Sequence, residues 1–244
     1  CSSLKNITIS DSVTNIGNHA FSNCTNITSV ALGNQVKSIG ESAFSGCSSL
    51  ENITISDSVT QIGNSAFSDC SNITSVTLGN QVKIIKDKAF SGCSSLKNVY
   101  YTGSPTNWNE ISIGYNTEFK KAKLYYTHCG KDLSWSWESA IKTLTISGNG
   151  TMYDFNLPSQ LPWYAEQVNI ETVVIEQGVT SIGSIFQGCT NLTSLIIPDS
   201  VTSISEKTFS DCTNLAFVDI SNLAAWCQID FFDNPLSKGG VVLY

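Results

Sequence analysis

A cysteine recurs every 23 residues through the first part of this chain, at Cys1, Cys24, Cys47, Cys70 and Cys93. That period constrains the fold more than any other feature. Phenylalanine keeps the same step at Phe21, Phe44, Phe67 and Phe90, as do Ala20, Ala43, Ala66 and Ala89. Val13, Val36, Val59 and Val82 and Ile16, Ile39, Ile62 and Ile85 complete the pattern. A unit this short cannot bury its own apolar face, so neighbouring units must stack and share a core. Each unit offers one alternating strand, such as residues 6–9, with Ile7 and Ile9 inward. Stacked coil on coil, such strands form a parallel sheet with about 4.8 Å per coil. The Ala-Phe segment is expected to return as a short helical or 3₁₀ turn, its apolar pair inward. Gly17, Gly40 and Gly63 precede it, where a tight bend suits glycine. The expectation is an α/β repeat: a curved, right-handed solenoid with one parallel β face.

A second-order repeat overlies the first. Residues 9–14 and 55–60 read ISDSVT, whereas 32–37 and 78–83 read LGNQVK, so the duplicated unit is a pair of coils. After Cys93 the pattern changes. Trp108 stands where the Ala-Phe pair would come and is followed by Ile111; Trp226 and Ile229 repeat that spacing near the end. One indole can fill the volume that alanine, phenylalanine and cysteine otherwise share. Between these two coils, alternation around Leu144 and Ile146 followed by Gly148-Asn149-Gly150 predicts strand, turn, strand. Three segments follow: a first array over 1–127 with a tryptophan end coil, a small β module over 128–167 capping what comes next, and a second array over 168–244.

The V-T-x-I-G-x-x-A-F-x-x-C core and the I-P-D-S-V-T-S-I run at 197–204 resemble the BspA-like, Treponema-type leucine-rich repeats. The CGKDLSW…TLTISGNGTMYDF…PWY segment looks like the module that precedes such repeats in large bacterial surface proteins. Lys86 in place of glycine and Thr208 in place of alanine depart from the pattern and touch local packing only. The resemblance implies a secreted or cell-surface bacterial protein concerned with adhesion or host contact.

Charge narrows the partners. The net charge is −7, and all thirteen basic residues are lysines. Nucleic-acid recognition relies on clustered cations and on the guanidinium fork, so no nucleic-acid partner is expected. The apolar runs are too short to span a bilayer. The chain opens on Cys1 with the repeat already running, which reads as a fragment of a longer protein. Its end coil at Tyr244 is expected to fray or to associate with a second copy.

Nothing in the sequence assembles a catalytic site, a cofactor site or a metal site. The cysteines show no C-x-x-C pair, and the stacked ones read as a ladder of small buried thiols rather than disulfides. Cys129 and Cys227 lie outside the ladder and are expected to be the reactive ones. His19 takes a position held by Ser65 in the duplicate and reads as a surface residue; His128 beside Cys129 has no visible orienting partner. The outward strand positions are better candidates. One row reads Thr8, Ala31, Thr54, Thr77, Tyr100, with Tyr125 expected on the next strand; another reads Asn6, Ser29, Asn52, Ser75, Asn98. Later in the chain the rows read Val174, Ile196, Asp219 and Thr172, Ser194, Phe217. Apolar groups there mark either a contact patch or a face covered by a neighbouring loop. The expected ligand-binding residues are therefore Tyr100, Tyr125, Val174, Ile196, Phe217 and Asp219. The expected function is non-catalytic recognition of a host or neighbouring-cell protein or glycan through the β face, the alternative being a spacer that displays other domains.

Overall fold

The computed structural model describes residues 4–155, 157–231 and 241–244. The chain divides into two compact units, residues 1–127 and 128–244. Cys1 and most of the end coil expected to fray lie outside the described residues.

In the first unit the repeat becomes a wide row of parallel strands, hydrogen-bonded as two sheets, and a narrow ladder. The wide row pairs Asn6–Thr8 with Ser29–Ala31, and its second sheet joins Asn52–Ile55, Ser75–Leu78, Asn98–Tyr101 and Lys123–Tyr126. Ile53 faces Val76 and Val76 faces Val99, so each coil advances by one period. Alternation is kept: Ile53 and Ile55 are buried while Asn52 and Thr54 look outward. The narrower ladder was not anticipated. It runs through Asn15–Ile16, Ser38–Ile39, Gln61–Ile62, Ile84–Ile85 and Ser112–Ile113. Two-residue strands carrying one inward isoleucine are too short to show a period of two.

The Ala-Phe segment is not helical. Each regular coil places two residues in the left-handed region, such as His19 (φ 57°) with Asn23 (φ 56°), and Ser65 (φ 52°) with Asp69 (φ 58°). A helix cannot continue through them. The backbone bonds run from coil to coil instead: Phe21 N–H donates to the Ala43 carbonyl at 2.7 Å and Phe44 N–H to that of Ala66 at 2.8 Å. Gly17, Gly40 and Gly63 are not bend residues either, since none has positive φ. A Cβ on Gly40 would lie 2.7 Å from Asn18 N, and one on Gly63 would lie 2.7 Å from Gly40 C. At Gly40 and Gly63 glycine is there because the coils approach too closely for a side chain.

Behind the sheets the phenylalanines form a continuous stack. Phe21, Phe44, Phe67 and Phe90 follow at centroid spacings of 5.1, 5.3 and 5.3 Å, and Phe119 extends the stack at 4.9 Å. Trp108 therefore does not replace the Ala-Phe pair. It sits in the short helix Pro105–Asn109, ahead of the narrow ladder, and packs edge-on to Tyr101 at 5.3 Å. Asn116 takes over the alanine carbonyl's task, accepting the Phe90 N–H at 3.0 Å through its buried side chain.

The alternation of coil types has a physical basis. Asp11 Oδ1 accepts the Asn34 N–H at 2.8 Å, and Asp57 Oδ1 accepts the Asn80 N–H at 2.8 Å. A Cβ on Gly33 or Gly79 would strike the Ser10 or Ser56 carbonyl oxygen, 2.5 Å away in each case. An SDS coil thus needs an LGN coil above it.

The second unit is built on the same plan. Leu133–Glu138 runs antiparallel to Thr143–Gly148, which then pairs parallel with Thr172–Ile175; Ser194–Ile197, Phe217–Ile220 and Val242–Leu243 follow. The expected strand, turn, strand at Gly148-Asn149-Gly150 is present, but its two strands do not pair with each other. Thr143–Gly148 joins the wide sheet, and Gly150–Thr151 joins the narrow one beside Val179–Ile182. Trp163, Phe186 and Phe209 form the aromatic stack, at 6.1 Å for each step. Trp226 repeats the Trp108 arrangement on the helix Leu223–Trp226, capped by Asn222 as the first helix is capped by Ser104. Thr208 fits the alanine position because its hydroxyl donates to the Ser205 carbonyl at 2.6 Å.

Candidate functional site

The groups that could carry chemistry are dispersed or sealed. None of the described cysteines is in a disulfide. Cys47, Cys70, Cys93 and Cys212 of the ladder donate their thiol hydrogens to backbone, as Cys70 Sγ does to the Phe44 carbonyl at 3.1 Å and Cys93 Sγ to that of Phe67 at 3.2 Å. Cys129, expected to be reactive, is buried, and burial pushes its thiol up to about 12. A thiol held protonated is a poor nucleophile, so that expectation fails for Cys129. Cys227 is exposed. His19 is also exposed, in a left-handed turn. Among the described residues, no three His, Cys, Asp or Glu side chains are grouped to hold a metal ion.

The outward rows fall into register as the spacing implies. In the first unit Thr54, Thr77, Tyr100 and Tyr125 are consecutive partners, and beside them run Asn52, Ser75, Asn98 and Lys123. The Tyr100 and Tyr125 rings stack at 5.4 Å with 21° between their planes. The Lys123 ammonium lies 4.9 Å from the Tyr125 ring centroid, a cation–π contact. Where this row begins, a cleft of about 380 Å³ opens over Thr54 and Thr77 and reaches Asn34, Asp57, Ser58 and Thr102. Sequence reasoning missed it, because its walls come from the turns of both coil types; the ISDSVT and LGNQVK alternation was the signal that marked them.

In the second unit one row runs Thr143, Thr172, Ser194, Phe217, Val242, and its neighbour runs Thr145, Val174, Ile196, Asp219. Phe217 is 44% exposed, Ile196 36% and Val242 46%, while Val174 is half-buried. The Tyr244 ring lies 5.8 Å from that of Phe217. These residues form one apolar stripe with Asp219 set into it, uncovered by the described residues. Val242 and Tyr244 were not among the expected ligand-binding residues, although the VVLY ending alternates as a strand does.

A stack of short parallel strands with buried Leu, Ile, Val, Phe and Cys at fixed positions defines a leucine-rich-repeat solenoid. The family model of the BspA type leucine rich repeat region matches residues 1–120 and 163–235 with 6 copies, and the chain belongs to that family. Among curated proteins none matches this chain. Among solved structures it is similar to a leucine rich cell surface protein from Faecalibacterium prausnitzii A2-165, at 22% identity and a TM-score of 0.36, over 96% of this chain and 83% of that one. It is also similar to the pneumococcal vaccine antigen PcpA, at 17% identity and a TM-score of 0.41, over 89% of this chain and 62% of that one. A leucine-rich repeat protein from Bacteroides ovatus matches at 20% identity and a TM-score of 0.28, over 100% of this chain and 84% of that one. No helix among the described residues is long and apolar enough to cross a membrane.

Proposed function

We propose that this chain is a non-catalytic recognition module displayed outside a bacterial cell, which binds a protein of a host or neighbouring cell through the wide sheet of its second unit. The observation that carries this reading is the stripe of exposed Ile196, Phe217 and Val242 with half-buried Val174 around Asp219. A solvated sheet face alternates apolar-in with polar-out. Contiguous outward apolar groups centred on an aromatic ring have the composition of a protein-contact centre. The resemblance of its repeats to those of the BspA type, to whose family the chain belongs, supports an extracellular setting.

A spacer is the second reading, and the first unit favours it. Its outer rows are mostly small and polar and partner one another, as where Ser29 Oγ donates to Asn6 Oδ1 at 2.8 Å. The deciding experiment is a screen of the purified chain against host matrix proteins and mucins, with a Phe217→Ser, Ile196→Ser variant alongside. Saturable binding that the variant loses supports the protein-contact stripe. Binding that survives the variant overturns the stripe, and a folded sample with no hit supports the spacer.

A further inference from the structure

We propose that the last coil of the first unit binds a small apolar carboxylate, in a cavity of about 240 Å³ that a shortened turn leaves in its core. In the regular coils the wide strand begins eight residues after the rear phenylalanine, as from Phe67 to Ser75 and from Phe90 to Asn98. Two side chains inside that turn point inward. After Phe90 they are Cys93 and Leu96, both buried. In the last coil Phe119 stacks on Phe90, and Lys123 is the register partner of Asn98. Only Lys120, Lys121 and Ala122 stand between them. The cysteine and the leucine thus have no counterpart, and the cavity is bounded by residues on either side of that gap: Phe119, Lys120, Ala122 and Leu124.

The remaining walls are apolar. Val99 comes from the wide sheet, Ile113 from the narrow ladder and Trp108 from the helix Pro105–Asn109, its ring 6.3 Å from that of Phe119. An apolar cavity of roughly 150 Å³ takes a benzene ring, so this one has room for a ring with a short chain or for a short aliphatic tail. Among the described residues that line it, Lys120 alone is charged. It lies in the last turn of the helix Thr117–Lys121, is exposed, and makes no ion pair among the described residues. A lysine whose stem forms part of an apolar wall keeps its ammonium in water at the mouth. Lys121 and Lys123 follow it in sequence, against Glu118 as the single acid of that helix. A ligand whose apolar body fills the gap while its carboxylate meets Lys120 satisfies both halves of this site. An amine on the same body would meet like charge instead.

The test is a titration of the folded full chain with hexanoate and phenylacetate, followed by saturation-transfer NMR and calorimetry. Phenylacetamide and phenethylamine run alongside as the neutral and cationic forms of the same body. At least one of the two acids is expected to bind saturably, and phenethylamine more weakly than phenylacetate. Lys120→Gln is expected to weaken the acid by about five-fold, the upper value for an exposed ion pair, and to leave phenylacetamide unchanged. Ala122→Leu restores bulk to the gap without touching the charge, and it is expected to abolish binding while circular dichroism shows the fold retained. Failure of both acids to bind, parental affinity for the acid in either variant, or binding of phenethylamine as tight as that of phenylacetate each overturns the proposal. The probes are small molecules and the site lies in the first unit, so this inference and the protein-contact stripe of the second unit can fail separately.

Discussion

The thiol of Cys70 donates to the carbonyl oxygen of Phe44, 3.1 Å away in the preceding coil. Cys47 does the same to Phe21 at 3.3 Å, and Cys212 to Phe186 at 3.1 Å in the second unit. Cysteine recurs here because it is both a small apolar plug and a donor pointing down the stack. Cys70→Ala leaves a void and removes that bond. The expected loss is about 1–3 kcal/mol of unfolding free energy, measurable as a lower urea midpoint. An unchanged midpoint would mean that the ladder is spacing alone.

The same packing sets thiol reactivity. Of the described cysteines, seven are buried and Cys227 is exposed. Treatment of the native chain with a maleimide, mapped by mass spectrometry, is expected to modify Cys227 and to spare Cys129 and the ladder until denaturant is added. Rapid labelling of Cys129 in the folded chain would contradict its burial.

Alkali should unfold the chain through these groups. Burial pushes Cys93 and Cys129 up to about 12 from an ordinary value of 9.0. Below pH 9 both folded and unfolded thiols keep their protons, and the full stability is present. Above it the unfolded chain releases protons first, so stability falls as pH rises toward the folded values. Urea midpoints are expected to be level between about pH 7 and 8.5 and to drop by about pH 10. A midpoint that stays level through that range would show that the thiols ionise equally in both states.

How much of this was legible in the sequence depended on whether a residue's task shows in its own period. Ile53, Val76 and Val99 were readable because inward positions repeat with one apolar type. So were Tyr100 opposite Tyr125 and Ile196 opposite Val174. The left-handed positions were not, since His19, Ser42, Ser65 and Lys88 share a conformation but no chemistry. Trp108 misled because an indole was assigned by volume, while Phe119, displaced by two short helices, continued the stack. The cleft beside Asp57 was hidden because turns from neighbouring coils build it, and a linear pattern does not show which turns meet.

Gly40 and Gly63 occupy equivalent positions in successive coils, and neither should accept a side chain. A Cβ on Gly40 would lie 2.7 Å from Asn18 N and 2.8 Å from Gly17 C, and one on Gly63 2.7 Å from Gly40 C and 2.8 Å from Glu41 N, all backbone atoms that cannot move without parting the coils. Neither glycine has positive φ, so the cost is packing and not backbone strain. Gly40→Ala and Gly63→Ala are each expected to cost about 1–3 kcal/mol as overpacked sites. Thermal melts of the two variants read the loss directly. Melting temperatures equal to that of the parent would mean that neighbouring coils can separate by several tenths of an ångström without cost.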